Sequence, residues 1–222
     1  MFLKNLTITI SIFLIATVFV LNAGTGLGNG KSGGKKIALN NKVGSNQIKF
    51  FSKAPGEDIE GTANGISGNF TLDPSNLEAT NGSVTVEVKS METGSGSRDA
   101  HMYSEPWLNE KGFPKITLQI KGMKNVKNVK YDASSGKATA NATVFGDFTL
   151  HGITTHMEAE ITLTYINESD KTKARALGDF VMVTVNFNVH LLEHKILGKA
   201  GVVGDKVAEV VNLQASFFGN VQ

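Results

Sequence analysis

The string His190-Leu191-Leu192-Glu193-His194 has the spacing of an H-x-x-E-H zinc protease motif. That chemistry needs both histidines on one helical face around a metal, with the glutamate beside them as base. Here the string ends an alternating run, "VMVTVNFNV", and meets Gly198 soon after. On a strand the two rings would stand about 13 Å apart, too far to share one ion. The pattern therefore reads as a solvated strand end. His151 and His156 flank a turn and could approach each other, but no third ligand is evident. Serine, histidine and aspartate all occur, yet no G-x-S-x-G elbow positions a nucleophile. "GTGLGNGKSGG" contains Gly-Lys-Ser, but the apolar run before it is no phosphate-loop strand. These residues point to no catalytic group, no metal and no cofactor.

The least regular stretch runs from Gly96 to Gly122, "GSRDAHMYSEPWLNEKGFPKITLQIKG". It holds the only tryptophan, Trp107, between two alternating segments. Ser97 reads as the N-cap of a short helix from Arg98 to about Tyr103, with Asp99 suiting its dipole. Pro106 reads as the first residue of a second turn that Gly112 ends. Arg98, Asp99 and His101 read as loop-locking residues that anchor this connection to its surroundings. Met102, Trp107 and Phe113 supply apolar bulk that must be buried, either at the mouth of a barrel or as the base of a solid core.

Alternation dominates the rest. Val84, Val86 and Val88 share one face, as do Ile116, Leu118 and Ile120. Phe148 and Leu150 continue such a face. Met157, Ala159, Ile161, Leu163 and Tyr165 alternate with polar neighbours, and Val181 through Val189 and Val211 through Phe217 do likewise. Gln47–Phe51 and Ile66–Leu72 are shorter candidates. About eight strands result, mostly consecutive and antiparallel, with no long amphipathic helix. A single sheet of that size curls, and closure into a barrel removes its edges; a two-sheet sandwich has the same periodicity.

Composition narrows the classes. The 222 residues suffice for one large all-β domain with its own core. There are no cysteines, so disulfides, thiol nucleophiles and thiolate metal sites are excluded. Net charge is +2 and the only arginines are Arg98 and Arg175, which argues against nucleic acid as a partner. Met1–Asn5 is short and basic, Ile8–Leu21 is apolar, and small residues follow. That is the pattern of an export signal, residues 1–23, and implies a periplasmic or secreted protein with no stable membrane span after cleavage. Residues 24–36 are Gly- and Lys-rich and read as a flexible lead-in to a domain over 37–222.

Four segments, "GISGNFTLD", "GSVTVEVKSMETGSGSRDAHMYSEPWLNEKGFPKITLQI", "ATVFGDFTLHGITTHMEAEI" and "VVGDKVAEVVNLQASF", follow one another over roughly residues 45–218 in an order that resembles the YceI-like family. These are secreted bacterial proteins with a lipocalin-like barrel that bind polyisoprenoid-type lipids. The resemblance implies an all-β, antiparallel lipocalin-like barrel of about eight strands, with a short helical connection near 97–112. It implies a lipid or other hydrophobic small molecule as partner, held for transport or storage. Two segments depart from the family's pattern: "GSNQIKFFSKA" lacks the usual early histidine, and "HLLEHKILG" replaces the usual late acidic-aromatic-glycine element. Both bear on the ligand more than the fold.

Strand parity then nominates the residues that line the lumen or its mouth: Phe50, Phe70, Val86, Val88, Met102, Trp107, Phe113, Leu118, Phe148, Met157, Ile161, Leu163, Val183, Val185, Phe187 and Leu213. The competing class is a secreted or surface interaction protein that uses the barrel as a scaffold and carries no lipid. An enzyme acting on a lipid is a third. One edge strand could also pair in a homodimer.

Overall fold

Alternation gives every strand one face to hide from water. In this computed structural model, which describes residues 25–222, the strands do so by closing on themselves. The export-signal segment, 1–23, lies outside the described residues. Eleven strands run β1 (Lys35–Leu39), β2 (Gln47–Lys53), β3 (Asp58–Ala63), β4 (Ile66–Asp73), β5 (Asn76–Glu87), β6 (Met91–Glu92), β7 (Lys115–Asp132), β8 (Lys137–Leu150), β9 (Ile153–Ile166), β10 (Phe180–His190) and β11 (Val210–Val221). They form an eight-stave, closed antiparallel barrel, because three staves are interrupted. β11 pairs with β2 over Asn212–Ser216 and with β1 over Gly219–Val221. β4 pairs with β1 and β3 with β2; β5 pairs with β4 and β6 with β3. So β1 with β2, β3 with β4, and β5 with β6 each act as one stave. The lipocalin-like expectation holds.

The ring is incomplete between β9 and β10. β9 and β10 pair only where Phe180–Val185 faces Ile166–Ile161. Beyond that point Ile153–Glu160 and Asn186–His190 splay apart, while β8–β9 and β10–β11 stay paired to their ends.

The opposite end is solid. Leu72, Leu77, Leu163, Tyr165, Ile37 and Val181 are all buried to 1% exposure or less. The Tyr165 hydroxyl donates to Asp179 Oδ2 at 2.7 Å, and Asp179 Oδ1 accepts the Glu168 N–H at 2.7 Å, so the deepest polar group is satisfied. Burial, then the neighbouring Asp179, raises the Tyr165 pKa and keeps the phenol neutral.

The flexible lead-in needs correcting. Leu27 is fully buried in this end; its N–H donates to the Pro74 carbonyl at 2.7 Å, and the Leu77 N–H donates to the Thr25 carbonyl at 3.2 Å. β1 also begins inside the segment, at Lys35. Glycine content masked one leucine with a core position waiting for it. The connecting helix is corrected too: α1 spans Gly96–Tyr103, with Ser95 rather than Ser97 as the preceding cap residue. After it the chain makes non-helical turns through Pro106 to Gly112.

Leu27→Ala is expected to destabilise the fold by about 2–4 kcal/mol, as for other buried leucines. Urea unfolding checks this, and a change within error would restore the flexible lead-in.

Candidate binding cavity at the open end of the barrel

At the end away from Leu27, the inward faces of the staves do not meet. They surround a cavity of about 560 Å³. Its wall is built by parity: Ile48 and Phe50 from β2, Ile59 and Ala63 from β3, Val86 from β5, Met91 from β6, Ile116 from β7, Phe148 and Leu150 from β8, Phe187 and Val189 from β10, and Val211 and Leu213 from β11. Hardly any polar group faces inward; Ser52 is one, and its Oγ is taken by the Ala208 N–H at 2.8 Å.

Two connections cover the opening. The first is α1 with the turns after it, which bring Met102, Trp107 and Leu108 over the cavity. The second is the segment from Leu191 to Glu209, which brings Leu191, Ile196, Val202 and Val207. The two lock at Gly198. Its N–H donates to the Pro106 carbonyl at 2.9 Å, its φ is +62°, and a Cβ there would stand 2.6 Å from the Trp107 ring. Only glycine fits both demands.

The polar residues of the first connection hold it down. Asp99 Oδ1 accepts the Thr93 N–H at 2.8 Å and its hydroxyl at 2.7 Å. The Tyr103 hydroxyl donates to the Met91 carbonyl, with Lys89 Nζ 4.4 Å above the ring. Arg98 reaches Glu57 at 2.6 Å on the β2–β3 hairpin. That ion pair lies beyond the short β3–β6 ladder of two residue pairs, past the point where β3 loses its β6 partner. Both partners are over a third exposed, so it fixes geometry more than it stabilises. Arg98 and Asp99 thus serve as anchors; His101 stays exposed on the rim. Arg98 with its partner Glu57, His101, Lys199, Lys206 and the hydroxyls of Ser95 and Ser97 make the mouth polar.

The β9–β10 split is bridged by histidines. His151 Nδ1 lies 3.0 Å from the His194 carbonyl, and His194 Nδ1 lies 3.2 Å from the Ile153 carbonyl. Carbonyls only accept, so each ring carries its proton on Nδ1. His194 is 3% exposed and packs edge-on to Phe148 at 5.5 Å. The solvated strand end is therefore half right: β10 does stop at His190, but Leu191–His194 turns inward as a short 3-10 helix and buries its last residue. His151 also packs against Phe113, with centroids 4.9 Å apart. His156 instead pairs with Glu158 at 3.2 Å on the outer face. Among the described residues no group of three histidines, aspartates or glutamates is placed to hold a metal.

A family model described as the YceI-like domain matches residues 42–217 of this sequence. The chain belongs to the YceI-like family. Among curated relatives, a UPF0312 protein of Pseudomonas putida (strain W619) is 34% identical over 96 residues, 43% of this chain and 44% of that protein. One from Yersinia enterocolitica is 31% identical over 106 residues, 48% and 49%. The matched region thus spans about half the length of these relatives. Among solved structures, Burkholderia cenocepacia BcnA superposes with a TM-score of 0.60 at 14% identity, covering 78% of this chain and 95% of that one. A polyisoprenoid-binding domain from Saccharophagus degradans, implicated in plant cell wall breakdown, gives 0.59 at 12% identity, with 84% and 98% covered. The Campylobacter jejuni YCEI protein gives 0.58 at 16%, with 74% and 85% covered. These three establish the fold.

On this YceI-like barrel, the sequence-predicted lining divides by depth. Phe50, Val86, Met102, Trp107, Phe148, Phe187 and Leu213 line the cavity. Phe70, Ile161, Leu163 and Val185 lie in the solid core, and Leu118, Met157 and Val183 pack against it. Val88 is 1% exposed in the packing beneath the cover. Phe113 lies outside the lining, against His151 and Gly152. Parity identifies the inward face but not how far along the axis a residue sits, so it places deep residues such as Leu163 and Val185 in the lumen alongside the true lining. Ile48, Ile116, Leu150, Val189 and Val211 had the right parity and were missed. Ile196, Val202 and Val207 carried no periodic signal at all.

Burial lowers the His194 pKa, and this outweighs the opposing carbonyl bonds and Glu193, while His151 lowers it slightly further. Above about pH 6.5 the ring is neutral folded or unfolded and contributes nothing. As pH falls through that value the unfolded chain takes up a proton that the folded chain refuses, and stability declines. Urea unfolding at pH 7.5 and 5.5 should show this loss, and His194→Gln should flatten the difference. An unchanged difference would remove His194 as its source.

Proposed function

We propose that the protein binds an isoprenoid or other long-chain amphiphile in the barrel cavity and carries or stores it outside the cytoplasm. The observation that carries this reading is the apolar hollow at one end of a barrel packed solid at the other. A core of this quality has no need of a void, and interiors elsewhere are close-packed. The volume suits a small-molecule site. Burying each carbon of a tail contributes about 0.8 kcal/mol, so a few isoprene units offset the cost of association and tail ordering. The polar head would rest at the mouth among Arg98, His101, Lys199 and Lys206. The polyisoprenoid-binding domain of Saccharophagus degradans, which has the same fold, supports the same ligand class. No helix of the described residues is long and apolar enough to cross a membrane. The export-signal pattern supports a periplasmic or secreted location. No step in this function requires bond making.

Native mass spectrometry of the exported protein, with organic extraction, tests the reading. A stoichiometric hydrophobic adduct is expected, and Trp107→Ala should reduce its occupancy severalfold. A bare polypeptide mass, with no uptake of added long-chain prenols, would return the protein to a filled scaffold acting through its surface.

A further inference from the structure

The cavity stops part-way down the barrel, and the step from a lining residue to a packed one can be followed on several staves. Phe187 lines it, and Val185, the next inward residue of β10, is buried in the core. Leu213 and Ala215 repeat the step on β11, and Ile116 and Leu118 repeat it on β7. One such step is about 7 Å of strand. The floor has its own construction. Phe148 from β8 and Phe187 from β10 meet edge to face, with ring centroids 6.1 Å apart. Phe187 is one of the few side chains that packs against both the solid core and the apolar cluster around the cavity.

We infer that the cavity selects a single apolar tail of at most about 20 carbons, about four isoprene units, and that Phe148 and Phe187 set this limit. The inference rests on the lipid-binding reading. At interior packing density, 560 Å³ holds about 420 Å³ of ligand atoms, or about 20 aliphatic carbons at roughly 20 Å³ each. A longer tail has two places to go. It can leave through the mouth, where its extra carbons stay in water and add nothing to affinity. Or it can push below the floor, where Leu163 and Tyr165 are fully buried and Val181 is 1% exposed. That route requires moving close-packed side chains rather than filling a void. Aromatic pairs suit a fixed floor, because rings have few rotamers and hold each other edge to face. Phe187 is then a specificity-determining residue, and Phe148 positions it.

The protein supplies its own reporter, since Trp107 is the sole tryptophan and lines the cavity. Trp107 fluorescence titrations, checked by native mass spectrometry, would use prenols of two, three, four and eight isoprene units. The dissociation constant is expected to fall by roughly tenfold or more from two units to four, as added carbons are buried. From four units to eight it should change by less than about threefold, since those carbons find no apolar room. Phe187→Ala, with Phe187→Leu as a milder variant in case the first folds poorly, should shift the preference toward eight units by about fivefold or more. A wild-type constant that keeps falling tenfold or more between four and eight units would overturn the length limit and leave lipid binding intact. Variants that fold and keep the wild-type length profile would overturn the floor assignment. Binding of no prenol at any length would remove the lipid reading itself, and the inference with it.

Discussion

Everything described depends on how the last strand closes the ring. β11 has one free edge and two partners for it, β2 toward the mouth and β1 toward the solid end. Between them the chain makes the 40–46 loop, and the ladder would fail there without help. Asparagines supply it. Asn46 Oδ1 accepts the Phe218 N–H at 2.8 Å, standing in for a strand carbonyl, and the Phe218 carbonyl accepts the Asn40 N–H at 2.8 Å. Asn40 Nδ2 donates to Asn220 Oδ1 at 2.8 Å, and Asn220 Nδ2 reaches on to the Leu177 carbonyl at 2.9 Å. A backbone edge buried without partners costs far more than these side chains contribute individually. The short polar residues are thus what allow an interrupted stave to complete a barrel.

With the ring closed, the two ends divide the labour. The end plugged by Leu27 carries the tight packing, with Tyr165 and Asp179 satisfied at its centre. The other end can then be left hollow without losing the fold. Its wall is weak at β3–β6 and at the β9–β10 split. Each weakness has a cross-link made from side chains: Arg98 to Glu57 beside the first, and the His151 and His194 carbonyl bonds at the second. Residues that resemble chemistry in the sequence are here structural, because a hollow end lacks the core contacts that would otherwise hold its cover.

Strand parity made the barrel readable in advance, since each inward face is a long uninterrupted alternation such as Met157 to Tyr165. The interrupted staves were not readable, because β1, β3 and β6 are too short to show a period. Depth was hidden for a different reason. Phe187 and Val183 have the same parity and similar chemistry, and only the three-dimensional stacking of neighbouring staves puts one at a cavity wall and the other against the core. Trp107 and Met102 were legible as cover because their apolar bulk interrupted a polar connection. His194 was not, since burial of a histidine at a strand end leaves no pattern in the string around it. The Leu191–Glu209 cover was invisible because irregular backbone has no period to detect.

The β9–β10 split has one more consequence. Where the strands part, their facing backbone groups have no ladder partner, which is the condition under which a foreign strand can dock and propagate a sheet. One group of exterior charges lies on the β8 side of this stretch. Glu158 and Glu160 point outward from the unpaired stretch of β9, bound to Lys124 at 2.6 Å and Lys127 at 3.6 Å, with His156 next to them. Hydrogen bonding by Lys124 and Thr143 lowers the pKa values of Glu158 and Glu160, so both stay ionised into mildly acidic conditions. An incoming strand would have to place its own outward side chains beside Glu158 and Glu160. Outward carboxylates along an unpaired strand edge are one of the ways sheets in general discourage edge-to-edge pairing.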